Sequence, residues 1–184
     1  YKIAILSRGY GRDTKGFILA DESHTHHDIG DEPLQYFKKF KDIKVAVDEN
    51  RCEGMERLLQ EENPPQVVLL DDAYQHRKIK PGLSILLTDY YDLYSKNNLV
   101  PAGNLRDIKK AAQRADIIVA TKSPNVITPY YRRDVESSLK PLPYQKIFYS
   151  YIEYLDFKPF SKISYETDIK ETKTALILCG IANT

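Results

Sequence analysis

Short apolar runs recur along the chain with amphipathic stretches between them. The runs are four or five residues long and cover 3–6, 43–47, 67–70, 84–88, 117–120 and 175–179. Their length and β-branched content predict strands buried on both faces of a sheet. The stretches 32–41 and 51–62 place apolar residues on one helical face, and Pro33 suits a first helical turn. Alternating strands and helices predict an α/β fold built on a doubly wound, mostly parallel sheet.

The pattern changes after Pro124. A helix is predicted over 128–140, and the aromatic, β-prone stretch 146–152 reads as a strand. The polar stretch 161–172 predicts a loop or hairpin. We therefore expect an α/β core over 1–125, followed over 126–184 by a helix, a hairpin-like segment and a return strand that form a small β-rich appendage.

Composition narrows the class of protein. The 184 residues carry a net charge of +1 and 42% hydrophobic residues, enough for a real core. With so little net charge, nucleic acid is not an expected partner, and any anion site must be local. Two distant cysteines indicate reduced thiols and a cytosolic compartment. No apolar run reaches the ~20 residues of a membrane span. Because the chain lacks an initiating methionine and both ends lie next to apolar runs, we expect a fragment of a longer protein.

The strongest local signal follows the run at 67–70. Asp71 and Asp72 come directly after four apolar residues, as in a Walker B strand, and Gln75, His76 and Arg77 follow. Carboxylates at the carboxyl edge of a parallel sheet can hold Mg²⁺ beside nucleotide phosphates. A plain acidic turn remains the alternative.

No Walker A loop accompanies this signal. Gly11 and Gly16 have the required spacing, but Phe17 and Ile18 stand where lysine and serine or threonine are needed. The chain is therefore either not a P-loop protein, or its loop lies before Tyr1.

Three further segments carry candidate chemistry. After the first run, Ser7-Arg-Gly-Tyr-Gly-Arg12 brings two arginines that could bind phosphate, or a tight turn with solvated arginines. In Gly30-Asp-Glu-Pro33, Asp31 is a candidate general base or simply a helix N-cap. Arg106 is a candidate phosphate clamp, or an ordinary loop arginine capped by Asp107.

The histidines at 24, 26 and 27 look like a metal cluster. Their spacing does not match helical ligand pairs, so we interpret the segment as a solvated loop.

Taken together, the segments resemble the tetraacyldisaccharide 4′-kinases, the lipid A 4′-kinases of Gram-negative bacteria. The resemblance runs over nearly the whole chain, and its two most specific pieces are Ser7-Arg-Gly-Tyr-Gly-Arg12 and Asp71-Asp-Ala-Tyr-Gln-His-Arg77. Other matching segments are Gly30-Asp-Glu-Pro33, 47–51, 101–106, 121–124 and 179–182. Members of the family also have a Walker A loop and a C-terminal segment that this chain lacks.

The resemblance implies a P-loop kinase that uses ATP and Mg²⁺ to phosphorylate the 4′-hydroxyl of tetraacyldisaccharide 1-phosphate, giving lipid IVA. It implies Asp31 as the catalytic base, with Asp71 and Asp72 as catalytic acids that also bind the metal, together with Glu32. The residues implied to bind substrate or phosphate are Arg8, Tyr10, Arg51, Gln75, His76 and Arg106.

It also implies a place of action, at the cytoplasmic face of the inner membrane of a Gram-negative bacterium. The lipid disaccharide 1-phosphate and the membrane surface would be the partners of the full-length protein, and the chain alone would be inactive. Two alternatives stay open from the residues. One is another P-loop ATPase or GTPase, although Pro124 replaces the aspartate that guanine recognition needs. The other is a non-catalytic α/β binding module.

Overall fold

A computed structural model describes residues 1–155 of the chain. The predictions at 161–172, 175–179 and 179–182 lie outside these residues. A compact unit spans Tyr1–Tyr151. The expected boundary at 125/126 thus falls inside this unit, and the helix and strand that follow it pack with the core.

The unit contains two hydrogen-bonded sheets. The first has the strand order β2-β3-β1-β4, in which β1, β3 and β4 are mutually parallel and β2 runs antiparallel to β3. The second has the order β5-β6-β7 and is parallel throughout. The strands are β1 (Ile3–Ser7), β2 (Ile18–Leu19), β3 (Lys44–Val47), β4 (Val67–Leu70), β5 (Ile85–Asp89), β6 (Ile117–Thr121) and β7 (Lys146–Tyr149).

The prediction of an α/β fold with a mostly parallel sheet is confirmed. Two details differ from it. Strand β2 has only two residues, too few to leave a periodic signal. Strand β7 stops at Tyr149 instead of 152 and pairs in parallel with β6, so it belongs to the second sheet.

Four α-helices and one 3₁₀-helix connect the strands. They are α1 (His26–Ile29), α2 (Asp31–Lys39), α3 (Arg51–Leu59), the 3₁₀-helix (Lys109–Arg114) and α4 (Pro129–Leu139). Helix α4 begins where Thr128 accepts a hydrogen bond from the Tyr131 N–H and Pro129 occupies the first turn. The predicted ends of α2 and α3 are two to three residues too long, a usual error at helix termini.

Each sheet has its own apolar core. In the first, Leu6, Ala46 and Leu58 are fully buried, so β1 and β3 pack against α3. In the second, Ile118 packs with Val135 and Leu139 of α4. This packing fixes β1, β3 and β4 side by side, and so brings their carboxyl ends to one edge.

Burial on both faces holds for β1 and β3 but not for β4 and β5. Leu69 of β4 is 52% exposed and Leu87 of β5 is 64% exposed, while their neighbours Val68 and Leu86 pack into the cores. In the part of the chain that the structure describes, β4 pairs only with β1, and β5 only with β6. One face of each strand is therefore apolar and uncovered by these residues.

Candidate active site

The candidate site lies where β1, β3 and β4 end. Ser7 is in register with Val47, and Leu6 with Leu70, so the residues that follow these three strands are neighbours. The Asp48 N–H donates to the Ser7 carbonyl at 3.0 Å, and the Asp71 N–H donates to the Leu6 carbonyl at 3.1 Å. Parallel pairing thus gathers segments that are about 20 to 60 residues apart in sequence at the edge where open α/β sheets bind ligands.

The two acids after β4 have different surroundings. The Ser7 hydroxyl donates to Asp71 Oδ2 at 3.3 Å, which ties this carboxylate to the end of β1. Asp72 has φ 44°, a left-handed conformation that aspartate adopts more easily than most residues. The backbone therefore turns sharply at Asp72, and its carboxylate reaches a different partner.

That partner is Arg106. Its guanidinium donates to both carboxylate oxygens of Asp72, at 2.9 and 2.5 Å. These hydrogen bonds lower the pKa of Asp72 and raise that of Arg106. Both side chains stay more than half exposed, so the pair can open at little cost.

Asp107 does not cap Arg106, contrary to the simpler of the two sequence interpretations. Its carboxylate pairs instead with Arg114, 3.2 Å away, and Arg114 also donates to the Tyr74 carbonyl at 2.9 Å. This second contact holds the loop before the 3₁₀-helix against the β4 end, which brings Arg106 to Asp72.

Arg51 is buried at the start of α3. The residue is 4% exposed, and its Nη1 donates to the Asp48 carbonyl at 3.0 Å, while its buried Nε has no partner among the described residues. Burial and the nearby charge of Arg8 lower the pKa of Arg51, and Asp71 and Asp72 act in the opposite direction. A buried cation with a free donor beside two carboxylates suits an anionic ligand.

His76 joins the same cluster as a neutral group. Burial, then the charges of Arg51 and Lys78, lower its pKa, and its buried Nε2 has no partner within residues 1–155. At pH 7 the imidazole is therefore uncharged and can still accept or donate one hydrogen bond.

Asp31 lies at the first position of α2, and Gly30, not Asp31, is the N-cap. The N-cap interpretation of Asp31 is therefore wrong. Gly30 has φ 92°, and a Cβ there would lie 2.9 Å from the Tyr10 carbonyl oxygen, so only glycine allows this close approach. The approach places Asp31 and Glu32 next to the loop after β1, with both side chains exposed.

Helix α2 also faces the β4 end. Burial, and then the charges of Asp71 and Glu32, raise the pKa of Tyr36. Tyr36 therefore lies within electrostatic reach of both carboxylates. That Asp31 itself lies near Asp71 stays a prediction.

The remaining predicted site residues lie at the surface. Tyr10 is 89% exposed, and Arg8 and Gln75 are exposed as well. Their side chains are accessible to a ligand, and their roles in binding stay predictions.

The donor set fits Mg²⁺ only in part. No group of three histidine, cysteine or carboxylate side chains within residues 1–155 could hold a metal by itself. Asp71 and Asp72 offer two carboxylates, and Mg²⁺ characteristically binds through one or two carboxylates, with waters and substrate phosphates completing its shell. The residues present therefore fit a cation shared with a nucleotide. Glu32 is not grouped with them, so its role as a metal ligand stays a prediction.

Within the described residues, the histidine segment likewise forms no group of three metal-binding side chains. His26 and His27 begin the short helix α1 instead of lying in a loop, and His27 Nδ1 lies 3.2 Å from Asp13.

Sequence reasoning missed Asp48. It is 1% exposed, its Oδ1 accepts from the Asn50 N–H at 2.8 Å, and burial raises its pKa. Its position directly after the run 43–47, like that of Asp71 after 67–70, is the signal that could have found it.

Comparisons with known proteins agree on one family. All 184 residues match the family described as tetraacyldisaccharide-1-P 4′-kinase. Tetraacyldisaccharide 4′-kinases of Flavobacterium johnsoniae and Bacteroides thetaiotaomicron are 46% and 44% identical over 99% and 100% of this chain. These alignments cover 54% and 48% of the relatives, so the chain spans about half their length.

A solved structure is similar as well. LpxK from Aquifex aeolicus, crystallised in complex with ATP, is 28% identical, with a TM-score of 0.60 over 88% of this chain and 66% of that one. Within the part described by the structure, no helix is long and apolar enough to cross a membrane.

Proposed function

The chain belongs to the tetraacyldisaccharide 4′-kinase family, and on this premise we propose that the full-length protein transfers the γ-phosphate of ATP to the 4′-hydroxyl of tetraacyldisaccharide 1-phosphate. By full-length protein we mean a polypeptide of the relatives' length that contains this chain. The product would be lipid IVA, on the route to lipid A.

One observation carries the proposal. Two carboxylates after β4 and a buried arginine after β3 lie at one sheet edge, and the exposed Asp31 follows Gly30, which packs against the loop after β1. Phosphoryl transfer needs this combination, because catalysis rests on neutralising phosphate charge and orienting the attacking hydroxyl.

Asp31 is the proposed base. Its side chain is exposed and takes no part in capping α2, so a sugar hydroxyl can reach it. An exposed carboxylate beside the loop after β1 can accept the proton of the 4′-hydroxyl as the oxygen attacks. Glu32, the next residue of α2, is a second exposed carboxylate and is proposed to assist in binding Mg²⁺.

Asp71 and Asp72 would hold Mg²⁺. The bound ion would neutralise charge on the β- and γ-phosphate oxygens of ATP. Ser7 orients Asp71 through its hydroxyl, and Arg106 holds Asp72 until a ligand competes for it.

The cations and the neutral imidazole would bind phosphate and sugar oxygens. Arg51 offers its unpartnered Nε from a buried position, and Arg8 and Arg106 are accessible at the surface. His76, Gln75 and Tyr10 add uncharged hydrogen-bonding groups around them. Because arginine binds phosphate with two parallel N–H groups, these residues suit the 1-phosphate and the transferred phosphoryl group.

The nucleotide phosphates need further contacts. No Gly-x₄-Gly-Lys-Ser/Thr motif occurs in the 184 residues. We assign the Walker A loop to the part of the relatives' length that this chain does not span. We likewise propose that the full-length protein works on the cytoplasmic face of the inner membrane of a Gram-negative bacterium, where its acylated substrate resides.

The alternative of a GTPase, which would have to recognise guanine, gains no support. Lys122, in the Thr121–Pro124 turn, is engaged by Asp89 at 3.0 Å. The position that would need an aspartate is Pro124.

The test is transfer of labelled phosphate from ATP to tetraacyldisaccharide 1-phosphate by the full-length protein in mixed micelles. We expect label at the 4′ position, dependent on Mg²⁺. ATP hydrolysis that is indifferent to the lipid would instead identify a different P-loop ATPase.

A further inference from the structure

Arg12 is the second arginine of the glycine-rich segment, and the structure gives it a different environment from Arg8. The Arg12 side chain is only 3% exposed, whereas Arg8 lies at the surface. An arginine that binds a diffusing phosphate must present its guanidinium to the ligand. Arg12 does not.

Its guanidinium is used inside the protein. Nη2 donates to the Gly16 carbonyl at 2.7 Å and to Glu49 Oε2. The Gly16 N–H in turn donates to both carboxylate oxygens of Glu49 at 3.0 Å. These contacts close the loop between β1 and β2 on itself and join it to the turn between β3 and α3.

The other side of the same loop is joined to the segment before Asp31. The Asp13 N–H donates to the His27 carbonyl at 2.8 Å, and the Thr14 hydroxyl donates to the Asp28 carbonyl at 2.6 Å. Together with the close approach of Gly30 to the Tyr10 carbonyl oxygen, these hydrogen bonds join the loop to the segment that leads into α2.

Arg12 also packs on Gly9. A Cβ at Gly9, which has φ 69°, would lie 2.6 Å from Arg12 Cδ and 2.9 Å from the Ile29 carbonyl oxygen. The aliphatic part of Arg12 therefore covers one side of Gly9 while residues 29–30 cover another.

We propose that Arg12 is a positioning residue, which acts through its ion pair with Glu49 to fix the loop 8–16 and, through that loop, the place of Asp31 relative to the acids after β4. The role rests on the proposed function, because Asp31 is the base in that reaction. Arg12 itself touches neither the nucleotide nor the lipid.

The physical reason is the geometry that transfer demands. A displacement of about 1 Å at a reacting group can cost ~10²-fold in rate. Asp31 lies at the start of a helix whose N-cap has no side chain, so the loop 8–16 is what holds that helix end in place. Glu49 also connects the loop 8–16 to the strand ends. It follows Asp48, which comes directly after β3 and donates a backbone hydrogen bond to Ser7 at the end of β1.

The experiment compares Arg12→Gln, Arg12→Lys, Glu49→Gln and the Arg12→Gln/Glu49→Gln double variant in the full-length protein. The matched control is Lys44→Gln/Glu61→Gln, which removes a partly exposed ion pair, 3.4 Å long, at the amino end of β3. The readouts are kcat, the KM for each substrate, and hydrogen exchange of the amides at 30–32.

We expect Arg12→Gln to lower kcat by ~10- to 100-fold, with the KM for the lipid changed by less than about threefold, because binding groups are kept. Exchange at 30–32 should quicken. The double variant should lower kcat no further than Arg12→Gln alone, because each single change already breaks the same Arg12–Glu49 ion pair. Arg12→Lys should recover only part of kcat, since a lysine ends in a compact, strongly hydrated ammonium that is buried less readily than a guanidinium. The control pair should leave all readouts unchanged.

Other outcomes overturn the proposal. If Arg12→Gln keeps kcat and raises the KM for the lipid, as expected for the loss of a substrate-binding arginine, Arg12 is a ligand. If Arg12→Gln does not fold, Arg12→Lys and Glu49→Gln decide, and unchanged exchange at 30–32 in both refutes the role. The exchange readout needs no turnover. Altered exchange in a protein without lipid kinase activity would thus reject the proposed reaction while keeping the mechanical link.

Discussion

At the scale of single residues, Asp31 gives the sharpest prediction. Because Gly30 caps α2 and the Asp31 side chain is exposed, Asp31→Asn should leave the melting temperature of the full-length protein nearly unchanged. The loss of a general base should lower kcat by ~10²–10⁴-fold, with little change in the KM for ATP.

The matched control is Asp42→Asn, an exposed carboxylate beyond the end of α2. It should behave like the unchanged protein in both measurements. A kcat for Asp31→Asn within twofold of the control's would remove Asp31 from the mechanism.

Because of His76, we expect the free energy of unfolding to depend on pH. Burial lowers its pKa in the folded protein, so between that value and the ordinary value of about 6.5 the unfolded chain binds a proton that the folded chain does not. Its contribution to stability is therefore complete above pH ~6.5 and declines as the pH falls through this window.

Melting temperatures of the full-length protein across this range test the point. His76→Gln should flatten the decline on acidification, because it removes the titrating group. His26→Gln, at an exposed histidine, is the control and should keep the slope of the unchanged protein. Equal slopes for both variants would show that His76 is not held neutral by the fold.

At the scale of elements, the contact between the loop after β1 and the start of α2 depends on Gly30. Its φ is 92°, and a Cβ at this position would lie 2.9 Å from the Tyr10 carbonyl oxygen, so there is no room for a side chain. Gly30→Ala should lower the free energy of unfolding by about 1–3 kcal/mol and reduce kcat as well, because Asp31 moves with the helix end.

Gly82→Ala is the matched substitution, since a Cβ there would have open space around it. It should change the free energy of unfolding by less than ~0.5 kcal/mol. Denaturant titrations of both variants measure the difference. Similar values would mean that the two segments do not press on each other.

At the scale of the molecule, the uncovered apolar faces of β4 and β5 should make the isolated chain bind apolar ligands. Leu69 and Leu87 are more than half exposed, and within residues 1–155 each strand pairs on one side only. The isolated chain should therefore bind more of an apolar dye, such as anilinonaphthalene sulfonate, per molecule than the full-length protein.

The same chain should transfer no measurable phosphate, because a Walker A backbone and lysine, which make most β- and γ-phosphate contacts, do not occur in it. Dye fluorescence and labelled-ATP assays on both proteins measure these points. Tight Mg²⁺-dependent ATP binding by the isolated chain would show that the phosphate site lies within it.

Local pattern determined much of this protein. Runs such as 3–6 and 67–70 are short, apolar and β-branched, and they pair as parallel strands because helical segments between the runs return the chain to the same end of the sheet. The acids after 67–70 were visible for the same reason, since residues that follow a parallel strand arrive at a predictable edge of the sheet. The motif around Asp31 was visible from its place at a predicted helix start and from the family resemblance.

Tertiary structure alone decided the pairing of groups that are distant in sequence. Arg106 meets Asp72 and not its neighbour Asp107, because Arg114 takes Asp107 and holds the loop against β4. Arg12 is buried and pairs with Glu49, which lies 37 residues further along the chain, although its place in the sequence resembles that of the exposed Arg8. Periodicity reports only which face of an element is apolar. The partner that a charged side chain finds depends on how loops from different strands meet, and that is a property of the folded chain.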